Sequence, residues 1–443
     1  MRILLVSCAV APLHQGGVAR VVSQLGRGLA AGGHRVAVFT AVHDGRRPNG
    51  DIVQRTIDGV RVTAVSLPAT GFLERYQASD YLNAAVHEPF RRCVESFAPE
   101  VVHVHAVQGL GAGLVDFAPE AATTLLTMHD YWWVCPNIFL LHIDETPCRL
   151  TGFKLSDCER CLHNLPRIRG ENRFGIDRLE HRRQFLLRQL GKFDRVLAVS
   201  NQLRSRLKGF LTDIDIDVCE NGISLGARGG SVGVSKNQNG SADHGRPVRF
   251  GFLGGFNRLK GFNCLAQAVK RLPQRDFCVE VYGCRTTLRK RIGDRLPGVR
   301  AAYRRLLGRR VPPGLRRFES HVRLKPAFGE ADRDRVLRSF DALLVPSIVQ
   351  ESFSLVCREA LAVGTPVIAS RCGGPEEIVR HEDNGLLFEL GSAADLAACM
   401  RRCVDDAELL PRLAANADAD GIRSIEDFVA HNLQIYHAAR RSS

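Results

Sequence analysis

The chain has 443 residues, which is too long for one ordinary hydrophobic core and suits two domains of roughly 200 residues each. Its hydrophobic share of 45% and charged share of 24% are typical of a globular protein, and no apolar run approaches the roughly 20 residues that a membrane helix needs. Fourteen cysteines are scattered along the chain rather than set in a disulfide framework, so we expect a reducing, cytoplasmic environment.

The formal net charge of +14 is concentrated in one segment. Between Arg285 and Arg317 the sequence contains twelve Lys or Arg and a single acid, Asp294. Such a block would attract the anionic headgroups of a membrane surface, at about 1 kcal/mol per basic residue, or an anionic acceptor. A solvated helical face is an equally good interpretation. Nucleic acid is the weakest partner, because no stacking aromatics are interleaved with the charges.

The first half of the chain alternates buried strands with helices, which predicts right-handed crossovers and a parallel sheet. The strands are expected at residues 3–7, 35–40, 101–105, 124–129 and 195–200. Gly16 and Gly17 follow the first strand and precede a helix, where glycine lets a phosphate or an acceptor approach the backbone closely. This N-terminal, acceptor-side domain is predicted to span residues 1–225.

Three histidines lie near the ends of two of these strands. His129 ends the strand at 124–129, where a buried and hydrogen-bonded histidine is the ordinary outcome. His129 is nevertheless a candidate site residue, because ligands of doubly wound folds bind at the carboxyl ends of the strands. His103 and His105 alternate along the preceding strand, and we predict that they face opposite sides of the sheet.

An insertion at about residues 135–175 carries four cysteines, namely Cys135, Cys148, Cys158 and Cys161. The last two form a Cys-x-x-Cys pair, and four thiolates could bind a structural zinc ion tetrahedrally. Because the other spacings are longer than those of common zinc fingers, a set of free thiols is an equally good interpretation.

A stretch rich in Gly, Ser, Asn and Lys at residues 226–246 predicts a flexible linker. A second alternation of strands and helices defines a domain at 247–420. Its first strand is followed by Gly254-Gly255-Phe256-Asn257-Arg258-Leu259-Lys260-Gly261, so Lys260 stands ahead of a helix and could bind an anionic diphosphate. The remaining residues, 421–443, contain an amphipathic helix.

Two glutamates, Glu351 and Glu359, lie on either side of a predicted helix start. The apolar strand at 342–345 ends in proline, so Glu351 lies in the loop at the carboxyl edge of the sheet and Glu359 about two turns into the next helix. We expect that helix to start near Phe353 and Ser354, whose amide N–H groups favour a phosphate. Two carboxylates flanking an anion site suit a nucleotide sugar. The plain interpretation, which is the commoner one for an isolated pair at this spacing, is one carboxylate at a helix N-terminus and one solvated glutamate.

The residues around this pair carry a family resemblance. Pro346-Ser347, Glu351 and Glu359 are followed by Gly364-Thr365-Pro366-Val367-Ile368 and then by Gly373-Gly374. This order resembles that of the retaining glycosyltransferases of family 4, also called group 1. The resemblance implies a GT-B fold, in which two doubly wound, Rossmann-like parallel-sheet domains face a cleft. It also implies that the C-terminal helix packs back on the first domain.

The resemblance further implies roles for individual residues. Glu351 would contact the donor sugar, Glu359 the ribose hydroxyls, and His129 the donor sugar beside the scissile bond. With Lys260 at the diphosphate, His129 and Glu351 would form the catalytic set. The residues that would bind the donor are Gly16, Gly17, Gly254, Arg258, Lys260, Glu351, Phe353, Ser354, Leu355 and Glu359.

The glycine loop of the second domain departs from the family pattern. The family usually has Arg directly after the first glycine of this loop, and here Gly255 follows Gly254. Arg258 is a candidate for the missing charge beside Lys260. The phosphate clamp of this chain is therefore expected to differ from that of its relatives.

The leading interpretation is a retaining glycosyltransferase that moves a hexose-type sugar from a nucleoside-diphosphate sugar to a carbohydrate or lipid-linked acceptor hydroxyl. The pathway would be polysaccharide or glycolipid biosynthesis, with the enzyme cytoplasmic or peripheral on the inner membrane face. No Asp-x-Asp stands at a strand end, so no metal or other cofactor is expected in catalysis. The alternatives are a nucleotide-sugar epimerase or phosphorylase on the same fold, and a non-enzymatic protein that binds anionic lipid or nucleic acid through residues 285–317.

Overall fold

The computed structural model describes residues 1–43, 46–68, 78–142, 146–163, 176–224, 246–273, 276–284 and 321–441. The chain divides into two compact units, one of Met1–Ile223 with Arg423–Ser443 and one of Ser224–Ile422. The sequence placed these boundaries after residues 225 and 420. Nearly all of the predicted linker and the whole basic segment at 285–317 lie outside the described residues, so both stay predictions.

The first unit is built on an eight-stranded sheet with the order β3-β4-β2-β1-β5-β6-β7-β8. Its strands are β1 (Arg2–Ser7), β2 (Arg35–His43), β3 (Ile52–Ile57), β4 (Val60–Leu67), β5 (Val101–Ala106), β6 (Thr123–Met128), β7 (Arg195–Ala198) and β8 (Asp217–Val218). Neighbouring strands are parallel except β3 and β4, which pair antiparallel. Asp58 and Gly59 join these two with positive φ angles of 49° and 78°, which suits the tight hairpin turns that follow the twist of the strands.

Six helices surround this sheet in the described residues. They are α1 (Gly17–Ala31), α2 (His87–Phe97), α3 (Leu155–His163), α4 (Ile176–Leu190), α5 (Asn201–Lys208) and α11 (Ile425–Arg441). The C-terminal helix α11 packs on α1, and Gly28 is the point of closest approach, because a Cβ there would overlap Cγ2 of Val429. The last helix of the chain is therefore part of the first unit.

The second unit contains a six-stranded, wholly parallel sheet with the order β11-β10-β9-β12-β13-β14. The strands are β9 (Val248–Phe252), β10 (Phe277–Tyr282), β11 (Val322–Lys325), β12 (Ala342–Val345), β13 (Val367–Ser370) and β14 (Gly385–Phe388). The helices are α6 (Phe262–Val269), α7 (Arg333–Arg338), α8 (Leu355–Ala362), α9 (Ala393–Asp405) and α10 (Leu409–Ala415). Fully buried Phe250, Val279 and Leu386 form part of its core.

Both sheets have a point where the strand order reverses. In the second unit the reversal lies between β9 and β12, and in the first it lies between β1 and β5. Ligands of open α/β sheets bind in the crevice outside the carboxyl ends of the strands at such a point. The predicted fold class, two doubly wound parallel-sheet α/β domains, is confirmed. Within the described ranges, no helix combines the length and apolar character that crossing a membrane requires.

Candidate active site

The reversal point of the second sheet carries an ion pair between two residues that the sequence singled out. Lys260 follows β9 and Glu351 follows β12, and Lys260 Nζ donates a hydrogen bond of 2.8 Å to Glu351 Oε1. Ser347 Oγ donates to the same carboxylate oxygen at 2.5 Å. The Glu351 side chain is 12% exposed and that of Lys260 is 48% exposed. The pair therefore joins a half-exposed lysine side chain to a largely buried carboxylate.

The charges of this pair depend on each other. Burial by itself raises the pKa of Glu351, but the Lys260 ammonium and the hydrogen bonds from Lys260 and Ser347 outweigh burial and hold this pKa below its ordinary value. Burial by itself lowers the pKa of Lys260, and the Glu351 carboxylate outweighs that effect and raises the pKa above its ordinary value. Both groups are therefore charged at neutral pH.

Backbone contacts hold the two loops in place. Gly261 has φ +84°, and a Cβ there would overlap the carbonyl oxygen of Pro346, so only glycine lets the β9 loop lie against the β12 loop. The Ile348 amide donates to the Leu259 carbonyl at 3.1 Å across the same junction. The Glu351 amide donates to Cys372 O at 2.7 Å. The loops that carry Lys260 and Glu351 are thus fixed from several sides.

Helix α8 begins at Leu355, one to two residues later than the predicted start near Phe353 and Ser354. Ser354 is its N-cap and lies in the left-handed region, with φ 58° and ψ 74°. Phe353 is buried, the Arg358 guanidinium lies 3.6 Å from the centroid of its ring, and Arg358 Nη1 donates to the Phe353 carbonyl. The first-turn amides of a helix have no intrahelical acceptor, and the role of Phe353, Ser354 and Leu355 in binding an anion stays a prediction.

Glu359 lies on α8 in an ion pair that the sequence did not reveal. Arg333 Nη1, at the start of α7, donates to Glu359 Oε1 at 2.5 Å, and the Glu359 side chain is 9% exposed. The Glu359 carboxylate is therefore held in an ion pair with Arg333, whereas the plain interpretation has it solvated. Ser347 and Arg358 were also missed. No sequence signal marks Arg333, since it stands among several other charged residues before β12.

The departure at Gly255 has a steric cause. Gly255 has φ +54°, and a Cβ there would lie 2.5 Å from the carbonyl oxygen of Gly283, which follows β10. Its amide donates to Tyr282 O at 2.8 Å. An arginine does not fit this position in this chain. Arg258 is exposed in the same loop, and its part in binding, like that of Gly254, stays a prediction.

In the first unit, His129 directly follows β6 and is 8% exposed. His129 Nε2 and His105 Nδ1 are hydrogen-bonded at 3.0 Å, and the ring centroids of His103 and His105 lie only 4.1 Å apart. The prediction that His103 and His105 face opposite sides is therefore wrong, because residues two apart on a strand share a face. Burial lowers the pKa of His129 to about 4 and that of His103 to about 3, with the charge of His129 adding to the latter.

The first glycine loop precedes α1. Gly16 is the N-cap residue with φ 131°, a backbone conformation that favours glycine, and a Cβ there would meet no atom within 4 Å. Gly17 is the first residue of α1. Space is thus present at the amino end of this helix, and a ligand role for the two glycines stays a prediction.

The four cysteines of the insertion converge on one cavity of the first unit. Cys135, Cys148, Cys158 and Cys161 line it together with apolar side chains such as Leu162. Burial raises the pKa of Cys135 to about 12, with the nearby Cys161 and Cys158 adding to the rise. Within the described part of the chain, no three His, Cys, Asp or Glu side chains are arranged as a ligand set for a metal ion. The structural zinc therefore stays a prediction.

Two Rossmann-like domains, with a lysine–glutamate pair beside a helix start at the strand reversal, define a GT-B type glycosyltransferase. Residues 15–226 match the family described as Glycosyltransferase Family 4, and residues 247–406 match the one described as Glycosyl transferases group 1. The chain belongs to this family of glycosyltransferases, which confirms the resemblance read from the sequence.

Individual relatives agree with this assignment. The chain is 26% identical over 419 residues to a D-inositol 3-phosphate glycosyltransferase of Pseudarthrobacter chlorophenolicus, a match that covers 91% of this chain and 87% of the relative. Its fold is similar to that of a sucrose-phosphate synthase from Thermosynechococcus elongatus, with TM-score 0.67, 20% identity and coverage of 100% and 99% of the two chains. It is also similar to Anabaena HepE in complex with UDP and glucose, with TM-score 0.63, 17% identity and coverage of 99% and 100%.

Proposed function

We propose that this chain is a retaining, metal-independent glycosyltransferase that moves a hexose-type sugar from a nucleoside-diphosphate sugar to an acceptor hydroxyl. The observation that carries the proposal is the Lys260–Glu351 pair, 2.8 Å apart, at the strand reversal of the second unit. This is the place where an open α/β sheet binds its ligand, and it offers a fixed cation where a diphosphate needs one.

Lys260 is the residue that we assign to the departing diphosphate. Negative charge grows on that group as the glycosidic bond of the donor breaks, so a cation that is already in place stabilises the transition state more than the bound donor. Arg258 and the start of α8, at Phe353, Ser354 and Leu355, add to the positive potential. Glu351 keeps Lys260 charged and is assigned a hydrogen bond to the donor sugar.

Glu359 is assigned to the ribose of the nucleotide. Its carboxylate can accept hydrogen bonds from two adjacent hydroxyls, and its ion pair with Arg333 at 2.5 Å keeps it oriented. In the first unit, His129 is assigned to the donor sugar. The alternatives weighed from the sequence, an epimerase or a phosphorylase, are separated from transfer by the products formed with and without acceptor.

A UDP-hexose is the first donor that we propose, because HepE is described in complex with UDP and glucose. Acceptors to try first are cyclitol phosphates and lipid-linked or free oligosaccharides, since a relative with 26% identity is named for inositol 3-phosphate. We place the chain in the cytoplasm, with polysaccharide or glycolipid synthesis as the pathway. The fourteen cysteines, all free thiols in the structure, support a reducing compartment.

The test begins with thermal shift against a panel of nucleoside-diphosphate sugars and continues with turnover of the donor that binds. Lys260→Ala and Glu351→Ala are expected to abolish transfer. Lys270→Ala is the matched control, because Lys270 is an exposed lysine at the far end of α6. Full activity in either site variant would overturn the assignment. NMR of the product anomer tests retention, and turnover in excess EDTA tests metal independence.

A further inference from the structure

Three histidines and a tyrosine form a continuous polar chain inside the first unit. His103 Nδ1 bonds the Tyr436 hydroxyl of α11 at 2.8 Å, and His103 Nε2 bonds Thr127 Oγ1 at 2.8 Å. The ring of His103 packs against that of His105, with centroids 4.1 Å apart and planes tilted by 34°, and His105 Nδ1 bonds His129 Nε2 at 3.0 Å. His103 and Tyr436 are fully buried, and His105 is 2% exposed.

The three rings are neutral at ordinary pH. Burial, reinforced by the neighbouring histidines, lowers the pKa of His105 well below its ordinary value, and burial lowers that of His129 to about 4. A neutral imidazole carries a hydrogen on one nitrogen and a lone pair on the other. The 3.0 Å contact between His105 Nδ1 and His129 Nε2 therefore has one donor and one acceptor, and two arrangements are possible.

The other nitrogen of His105 decides between them. His105 Nε2 is buried, and it has no hydrogen-bond partner among the described residues. If His129 were the donor, His105 would carry its hydrogen on Nε2, which would leave a buried N–H group unpaired. If His105 Nδ1 is the donor, only a lone pair is left unpaired. Buried unpaired donors are the rarer and costlier outcome.

We propose that His105 is a positioning residue, which donates from Nδ1 to His129 Nε2 and thereby fixes the ring of His129 in the Nδ1–H tautomer. His129 then offers a hydrogen-bond donor, at a fixed orientation, to an oxygen of the donor sugar. The ligand part of this inference rests on the proposed function, whereas the tautomer does not. His103, hydrogen-bonded to Tyr436 and Thr127, packs against the ring of His105.

The tautomer is measured first on the unmodified chain labelled with 15N-histidine. Long-range 1H–15N correlations distinguish Nδ1–H from Nε2–H rings, and the signals of His129 are identified by their loss in His129→Gln. We expect His129 to carry its hydrogen on Nδ1. A His129 ring protonated on Nε2 would refute the proposal, and this measurement needs no substrate.

Two substitutions of His105 then separate the hydrogen bond from mere packing. The amide nitrogen of His105→Asn occupies the place of Nδ1 and can still donate, whereas His105→Leu cannot. We expect Asn to preserve the Nδ1–H tautomer and most of the turnover, and Leu to lose the tautomer together with about tenfold in kcat. Equal effects of Asn and Leu on the tautomer and on kcat would contradict the positioning role.

Two controls complete the design. Tyr436→Phe removes the hydroxyl bonded to His103 but leaves the His105–His129 contact, so the thermal midpoint is expected to fall while the His129 tautomer stays unchanged. UDP binding is expected to stay within twofold in every variant, because the residues assigned under the proposed function to its diphosphate and ribose lie in the other unit. If no nucleotide sugar is turned over but His129 is found as Nδ1–H, the proposed function fails and the positioning inference survives.

Discussion

Replacement of Lys260 by methionine separates the structural and catalytic effects of the Lys260–Glu351 pair. The substitution keeps the length of the side chain and removes its charge, so Glu351, whose side chain is 12% exposed, loses its counter-ion. Because the Lys260 side chain is 48% exposed, solvent screens the pair, and we expect the free energy of unfolding to fall by at most about 1 kcal/mol. That corresponds to a fall of about 2–4 °C in Tm for a domain of this size.

The effect on turnover is expected to be much larger. Loss of one preorganised donor to a developing negative charge typically lowers kcat by about 10²–10³-fold. The assay is release of UDP from the donor that stabilises the chain in the thermal-shift panel. Lys260→Arg is the matched variant, which keeps the charge and should retain more activity than methionine. Turnover within twofold of the unmodified chain in Lys260→Met would refute the reasoning.

The double variant Lys260→Met with Glu351→Gln sharpens this test. A neutral amide needs no counter-ion, so the double variant should recover most of the lost stability but none of the lost kcat.

The contribution of the Lys260–Glu351 pair to stability depends on pH with a definite sign. The pKa of Glu351 is depressed, so the contribution of the pair is present above the ordinary value of 4.5 and is lost as pH falls through the folded pKa. The pKa of Lys260 is raised, so the contribution is full below 10.5 and is lost as pH rises through the folded value.

Three further predictions concern other parts of the chain. Glu359→Gln should raise KM for the donor about tenfold with little change in kcat, and steady-state kinetics showing the reverse would argue against a ribose contact. Metal analysis decides between the two interpretations of the four cysteines: about one zinc per chain that Cys158→Ser removes supports the zinc site, and less than a tenth of an equivalent in the unmodified chain ends that idea. Gly28→Ala should cost about 1–3 kcal/mol because its Cβ overlaps Val429, and Val429→Ala should restore much of the loss of Tm.

The sequence predicted five of the eight strands of the first sheet, because buried parallel strands are short apolar runs such as Ile3–Val6. It missed the hairpin of β3 and β4, although Asp58-Gly59 is a strong signal for a two-residue turn. The alternation of strands and helices predicts parallel strands only, and the antiparallel pair at the sheet edge departs from that alternation. The error at His103 and His105 has another cause: residues two apart on a strand were assigned to opposite faces, although they share one face.

The site was predicted residue by residue but not as a set of contacts. The loop context placed Lys260 and Glu351 at strand ends, yet their contact requires that β9 lie beside β12, and strand order is not written in local sequence. The ion pair of Glu359 with Arg333 was missed for the same reason. It joins helix α7, which precedes β12 in the chain, to helix α8, which follows it. Tertiary contacts of this kind follow from the order of the strands in the sheet.

The loop after β9, which departs from the family pattern, is confined at both of its ends. At one end Gly255 lies so close to the carbonyl of Gly283 that a side chain is excluded, and at the other end Gly261 lies against the carbonyl of Pro346. The loop is therefore confined between the loops that follow β10 and β12, its neighbours in the sheet. A basic side chain does not fit at position 255. Lys260 directly precedes Gly261, and its Nζ lies 2.8 Å from Glu351 Oε1.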